Sequence, residues 1–191
     1  MHRNQNTYNR KRSYRLQGYD YSNEGMYFIT INTKNREHFF GEINDNEVHL
    51  NSLGKIVNEE WLKTSDIRKE ITLGEFVIMP DHFHALLLID KQLLDKSTTG
   101  NYRTNTVKAH GHAPLLAVPY KNKFGPQSKN LSALVRSFKA SCTKRIRLQH
   151  PHFSWQKSFH DRIVRDEHEL LRIEDYIRNN PIKATIRRLQ N

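Results

Sequence analysis

Cysteine is almost missing from this chain: Cys142 is the one thiol in 191 residues. An internal disulfide is excluded, and so is a zinc site built from several thiolates. No apolar run approaches the roughly 20 residues that a membrane helix requires, so no membrane partner is expected. The first residues, Met1-His2-Arg3-Asn4-Gln5, are polar and carry no apolar signal segment, which points to the cytoplasm. No internal repeat is present. Acidic residues are in short supply, 20 Asp and Glu against 31 Lys and Arg, for a formal charge of +11. That balance favours a polyanionic partner, and nucleic acid over a membrane surface. The length suits one domain spanning residues 1–191.

Residues 1–17 form a basic, polar arm centred on Arg10-Lys11-Arg12-Ser13-Tyr14-Arg15, either a solvated tail or a segment that contacts phosphates. Met26–Asn32 is rich in β-branched and aromatic residues and reads as a strand. Phe39–Ile43 and Glu47–Leu50 read as a short hairpin around Asn44-Asp45-Asn46. The spacing of Ile56, Val57, Glu60 and Trp61 predicts a helix over Lys55–Thr64. Ile71–Met79 and His82–Ile89 read as two strands joined at Pro80-Asp81. Residues 91–129 show no sustained period, and a structureless loop of that length is unusual in a compact domain. Leu131–Leu148 is amphipathic: Leu131, Leu134, Val135, Phe138 and Cys142 form its apolar stripe, while Arg136, Lys139, Lys144, Arg145 and Arg147 make the rest basic. Trp155–Val164 reads as a further strand. A last helix starts at Asp166-Glu167-His168-Glu169, with acidic residues where the helix dipole favours them, and Pro181 limits it. The order implies an α+β fold, an antiparallel sheet with helices packed mainly on one face.

The chemistry centres on histidine. With 11 histidines in the chain, a His-x-His pair is expected about once by chance. Three occur: His82/His84, His110/His112 and His150/His152. The second flanks Gly111 in the unpatterned segment and the third flanks Pro151 in a turn. Only His82 and His84 lie within a continuous apolar strand, where alternate residues share a face roughly 6–7 Å apart. Two imidazoles so placed can hold one metal ion and leave most of its coordination sphere open. Mg²⁺ or Mn²⁺ there would polarise a phosphodiester, and zinc also suits imidazole. The alternative is a pair of edge histidines satisfied by backbone carbonyls.

Tyr176 and Asn180 are four residues apart, the spacing of one helical face. A tyrosine with its ordinary pKa of about 10 is a poor nucleophile and needs an electrophile activated elsewhere. A metal-bound phosphodiester is such an electrophile, and Asn180 could supply the metal with an oxygen ligand. Equally, Tyr176 could be a helix tyrosine packed on the sheet, and the residues alone leave both readings open.

Four blocks taken together are more specific than any one of them. Met79-Pro80-Asp81-His82-Phe83-His84, Val135-Arg136-Ser137-Phe138-Lys139, Trp155–Val164 and Tyr176–Ala184, with an early Arg12–Tyr21 block, resemble the single-tyrosine HUH transposases. The chain is most similar to their REP-associated branch, over roughly residues 10–185. Residues 91–129 have no counterpart and read as an inserted loop. The resemblance implies a ferredoxin-like (RRM-like) sheet carrying the histidines on a central strand. It also implies a prokaryotic, nucleoid-associated endonuclease and strand transferase that cuts single-stranded DNA beside a hairpin through a 5′-phosphotyrosine. His82, His84 and Asn180 would be metal ligands and Tyr176 the nucleophile. Insertion-sequence members often carry glutamine at the third ligand position, so Asn180 fits the REP-associated branch better. That branch acts as monomers, whereas its insertion-sequence relatives exchange the tyrosine helix in dimers. Arg10, Lys11, Arg12, Arg15, Arg136, Lys139, Lys144, Arg145 and Arg147 would then track the DNA backbone, Tyr14, Tyr19 and Tyr21 would stack bases or pack structurally, and Arg162 would orient substrate or support the tyrosine helix. A protein that binds hairpins without cutting them is the alternative function. A plain RNA-binding domain lacks its aromatic-rich strands here.

Overall fold

The computed structural model describes residues 19, 21, 23–95 and 130–190. The arm with Arg10, Lys11, Arg12, Tyr14 and Arg15, the His110/His112 pair and residues 96–129 of the unpatterned segment lie outside the described residues.

Six strands and five α-helices are described. They are β1 (Gly25–Asn32), β2 (Gly41–Asn44), β3 (Glu47–Leu50), α1 (Ser52–Ile67), β4 (Ile71–Met79), β5 (His82–Ile89), α2 (Gln92–Asp95), α3 (Leu131–Ile146), β6 (His160–Val164), α4 (Glu167–Arg178) and α5 (Asn180–Leu189). Four strands form one antiparallel sheet in the order β4-β5-β1-β6. With α1 between β1 and β4, and α3 between β5 and β6, this is the ferredoxin-like α+β arrangement that the resemblance implied. The β2–β3 hairpin is a separate two-stranded sheet. Asp45 and Asn46 turn it with φ of 52° and 65°, the left-handed conformation that a two-residue hairpin loop requires.

Each long helix starts on a side-chain cap. Asn51 accepts from Leu53 and Gly54 N–H groups, Asn130 from Ala133, and Asp166 from Glu169. On one face of the sheet α1 and α3 enclose the main core. There Trp61 meets Phe83 at 4.9 Å and Phe138 at 5.3 Å between ring centroids, and all three are buried. Gly54 lets α1 approach the chain before β2, because a β-carbon there would stand 2.1 Å from the Phe40 carbonyl oxygen. Tyr19 and Tyr21 pack against this same core beside Tyr27, with the Tyr19 and Tyr21 rings 5.1 Å apart, so both have structural contacts.

The opposite face is covered by α4. Ile173 and Ile177 bury against Leu86, with Phe28, Val77, Val164 and Leu170 around them. Each such aliphatic side chain contributes about 1.5–3 kcal/mol to seating the helix.

Several expected boundaries change: the helix expected over Lys55–Thr64 runs Ser52–Ile67, α3 ends at Ile146 and not Leu148, and α2 forms at Gln92–Asp95 inside the segment that shows no period. The strand predicted over Trp155–Val164 pairs only from His160; Trp155 makes one isolated bridge, to Thr33. The carbonyls of Gln156 and Lys157 accept from the Lys139 ammonium at 2.6 and 3.3 Å, so they are not in a strand ladder. The last helix also breaks at Asn179 and restarts as α5. Pro181 begins that new helix, since a proline in the first turn loses no intrahelical hydrogen bond. Tyr176 and Asn180 are therefore not on one continuous helix.

Candidate active site

Strand alternation sends His82, His84 and Leu86 to the sheet face that α4 covers. β1 lies next to β5, and its register sets Asn32 opposite His82, Thr30 opposite His84 and Phe28 opposite Leu86. Both histidines are buried, His82 with 9 % and His84 with 4 % of its surface exposed. Their ring centroids are 4.6 Å apart.

Each imidazole is held through the same nitrogen. Nδ1 of His82 lies 2.5 Å from the Asp81 carboxylate. Nδ1 of His84 lies 2.8 Å from the Thr30 hydroxyl. With Nδ1 protonated and donating in both rings, both Nε2 lone pairs are left for a ligand, the arrangement that metal-binding histidines use. Phe28 stacks on His84 at 5.4 Å with a 24° interplanar angle and limits how the ring can turn.

Tyr176 comes from α4, one residue before the buried Ile177. It is 38 % exposed, and its hydroxyl lies 3.3 Å from Nε2 of His84. Its ring stands edge-on to Phe28 at 6.0 Å, and the Lys183 ammonium lies 5.3 Å from its centroid. The helix is fixed at both ends. At its start, Arg162 Nε pairs with the buried Glu169 at 2.5 Å, and Glu169 accepts the Arg165 N–H at 3.0 Å. Near its end Arg178 lies 3.5 Å from Glu75 on β4.

The electrostatics suit a cation ligand. Burial pushes the His84 pKa down to about 3, with His82 and Arg36 adding to the effect, so the ring is neutral at ordinary pH. Burial raises the Asp81 carboxyl, but the hydrogen bond to His82 and the charge of Arg36 outweigh it and hold the group below its usual range. A neutral His84 and a His82 whose Nδ1 is held by Asp81 fit a divalent cation. Among the described residues no group of three or more His, Cys, Asp or Glu is arranged so that all could hold one metal ion. Oxygen ligands would have to complete the set. Asn180 is buried at the start of α5, and among the described residues no hydrogen bond joins it to either histidine.

The remaining site candidates divide by face. Arg162 is on the tyrosine face, opposite Phe28, and holds the tyrosine helix through Glu169. The basic residues of α3 belong to a helix packed on the other face. Arg145 is bound by Glu59 and Glu60, both at 2.7 Å. Arg147 donates to the Phe153 carbonyl at 2.9 Å, and Lys139 donates to those of Gln156 and Lys157. Arg136 and Lys144 are exposed. Lys139, Thr143, Lys144, Arg147, Ser154 and Trp155 line an open groove of about 520 Å³. His150 and His152 are exposed in the turn after α3.

Sequence reasoning gave no role to Thr30, Phe28, Arg36, Asp81 or Lys183. Asp81 had a signal, as a carboxylate next to a candidate ligand. Thr30 and Phe28 become neighbours of His84 only through strand register.

No protein-family model matches the chain. A protein of Haemophilus influenzae described as uncharacterized is 36 % identical over 173 residues, covering 90 % of this chain and 88 % of that protein. Among solved structures, a REP-associated tyrosine transposase bound to a REP hairpin superposes with a TM-score of 0.52 and 17 % identity, covering 90 % of this chain and 73 % of that one. The chain therefore has the fold of that transposase.

Proposed function

The chain belongs to the same family as the Haemophilus influenzae protein, and we propose that it is a metal-dependent endonuclease and strand transferase acting on single-stranded DNA beside a hairpin. One observation carries the reading: a tyrosine hydroxyl from a separate helix meets the outward nitrogen of a buried histidine pair. The hairpin substrate extends to this chain what the similar structure is bound to.

Tyr176 is the nucleophile. Its oxygen attacks the phosphorus of a phosphodiester and the P–O3′ bond breaks. The 5′-phosphoryl group stays on the tyrosine, the phenol loses its proton to solvent, and the departing 3′ oxygen takes one proton from solvent to become a hydroxyl. The phosphotyrosine keeps the ester bond, so a second 3′ hydroxyl can rejoin the strand without ATP. His82, His84 and Asn180 would hold Mg²⁺ or Mn²⁺, which supplies Lewis-acid polarisation of the phosphoryl group. Phe28 and Thr30 keep the His84 ring oriented. Arg162 sets the angle of the tyrosine helix. Backbone phosphates are taken up by the basic arm and by the exposed cations of α3, with Arg136 and Lys144 better placed than Arg145, whose charge is already paired.

The test is a cleavage assay on hairpin-bearing single-stranded DNA with Mg²⁺ or Mn²⁺. A covalent protein–DNA band should form with the native chain and vanish with Tyr176→Phe. Tight hairpin binding with no cleavage under any divalent metal would establish instead a hairpin-binding protein without nuclease activity.

A further inference from the structure

His82 sits at the end of a chain of polar side-chain contacts. Its Nδ1 meets Asp81 Oδ1 at 2.5 Å, and Asp81 Oδ2 meets Arg36 Nε at 2.8 Å. Arg36 Nη1 donates to Asn32 Oδ1 at 2.6 Å, and Asn32 Nδ2 donates to Gln156 Oε1 at 2.9 Å. The Gln156 N–H in turn bonds the Asn32 carbonyl at 2.8 Å. The backbone is tied down as well: the Asp81 carbonyl accepts from both the Thr33 N–H at 3.0 Å and the Thr33 hydroxyl at 2.9 Å.

A carboxylate only accepts hydrogen bonds, so Asp81 demands the proton on Nδ1 and thereby leaves the Nε2 lone pair available. Arg36 occupies both the other carboxylate oxygen and Asn32, which leaves Asp81 little freedom to swing away. Arg36 itself adopts φ of 60°, and Asn35 before it 56°. Neither is glycine, so the turn is held in a conformation that side chains disfavour. The guanidinium is 55 % exposed, and an ion pair so placed adds little to stability. Fold stability alone therefore does not account for the strained turn.

We propose that Arg36 and Asp81 are positioning residues, which fix the tautomer and direction of the His82 imidazole for a divalent cation. The inference rests on the metal-binding reading above, and its test separates the two. Nitrogen NMR of metal-free protein labelled with ¹⁵N-histidine reads the His82 tautomer, and calorimetry with Mn²⁺ reads affinity.

The native chain should show a single Nδ1–H tautomer at His82. Asp81→Ala should give a mixture of tautomers and weaken Mn²⁺ binding about 10- to 100-fold, the usual effect of removing such a partner. Asp81→Asn keeps an accepting oxygen and should restore the tautomer. Arg36→Met should weaken binding in the same direction by less, with an unchanged melting temperature. If Asp81→Ala keeps the native tautomer, the proposal is overturned. If Arg36→Met binds Mn²⁺ as the native chain does, Arg36 has no part in it. If the native chain and His82→Ala bind Mn²⁺ equally, the metal reading fails, while the tautomer still decides whether Asp81 orients His82.

Discussion

Replacing Tyr176 with Phe separates two roles that a tyrosine beside a histidine pair could play. The substitution removes one hydroxyl, 3.3 Å from His84 Nε2, and leaves the ring against Phe28 and His84. A neutral hydrogen bond is worth about 0.5–1.5 kcal/mol net, and this one is long and belongs to a side chain that is 38 % exposed. A value of about 0.5–1 kcal/mol is appropriate, so global stability should change by no more than that. The hydroxyl and a metal ion compete for the same lone pair. Removing the competitor should raise divalent-metal affinity about two- to fivefold, at 1.4 kcal/mol per factor of ten. The covalent adduct should disappear. Calorimetric titration with Mn²⁺ and denaturing electrophoresis of protein–oligonucleotide mixtures measure the two effects, with His84→Ala as the control that loses metal binding. A tenfold loss of metal affinity in Tyr176→Phe would mean that the phenol is a ligand. An adduct that survives the substitution would mean that the nucleophile lies elsewhere. Either result refutes the site as described.

Other expectations follow from the same contacts. His84 is neutral in the fold down to a pKa of about 3, against an ordinary value of 6.5. The unfolded chain therefore binds the extra proton first, and stability should fall by a few kcal/mol as pH drops from about 6.5 toward 3 and be flat with respect to this group above that range; denaturant titrations of native and His84→Gln protein should show a shallower fall in the variant. Gly54→Ala forces a methyl group against the Phe40 carbonyl and should destabilise by about 1–3 kcal/mol, read as a lower denaturant midpoint with an unchanged slope. Asp166→Ala removes the cap of the tyrosine helix and should cost about 1 kcal/mol while speeding hydrogen exchange at the start of α4. Hairpin affinity should fall steeply with salt, with a slope of log affinity near −0.7 per contacted phosphate; a flat dependence would exclude backbone contacts as the main source of binding.

Much of the architecture could be read from local pattern, because apolar periodicity, caps and turn residues act within a few positions. The turn at Asn44-Asp45-Asn46 and the strands on either side of Pro80-Asp81 stand where the pattern put them, while the helix expected over Lys55–Thr64 extends to Ser52–Ile67. Errors came where a distant side chain intervened. Lys139 takes two carbonyls that a longer β6 would have used, and beyond the end of α4 at Arg178 a further helix, α5, starts at Asn180. The basic face of α3 shows the same limit. Its composition was plain, but that Arg145 lies between two glutamates while Arg147 and Lys139 brace a loop depends on segments remote in sequence.

The sequence by itself determined that His82 and His84 share a face, since alternation along a strand is set by backbone geometry. It also determined the excess of positive charge, the lack of disulfides and the acidic residues in the first turn of the tyrosine helix. Only the tertiary structure decided which nitrogen of each histidine is available. Asp81 is adjacent in sequence, but Thr30 reaches His84 through the β1–β5 register, and Arg36 reaches Asp81 through a left-handed turn. It also decided that Tyr176 meets His84. That contact exists because Ile173 and Ile177 must bury against Leu86, and seating them brings the neighbouring phenol over the histidine pair.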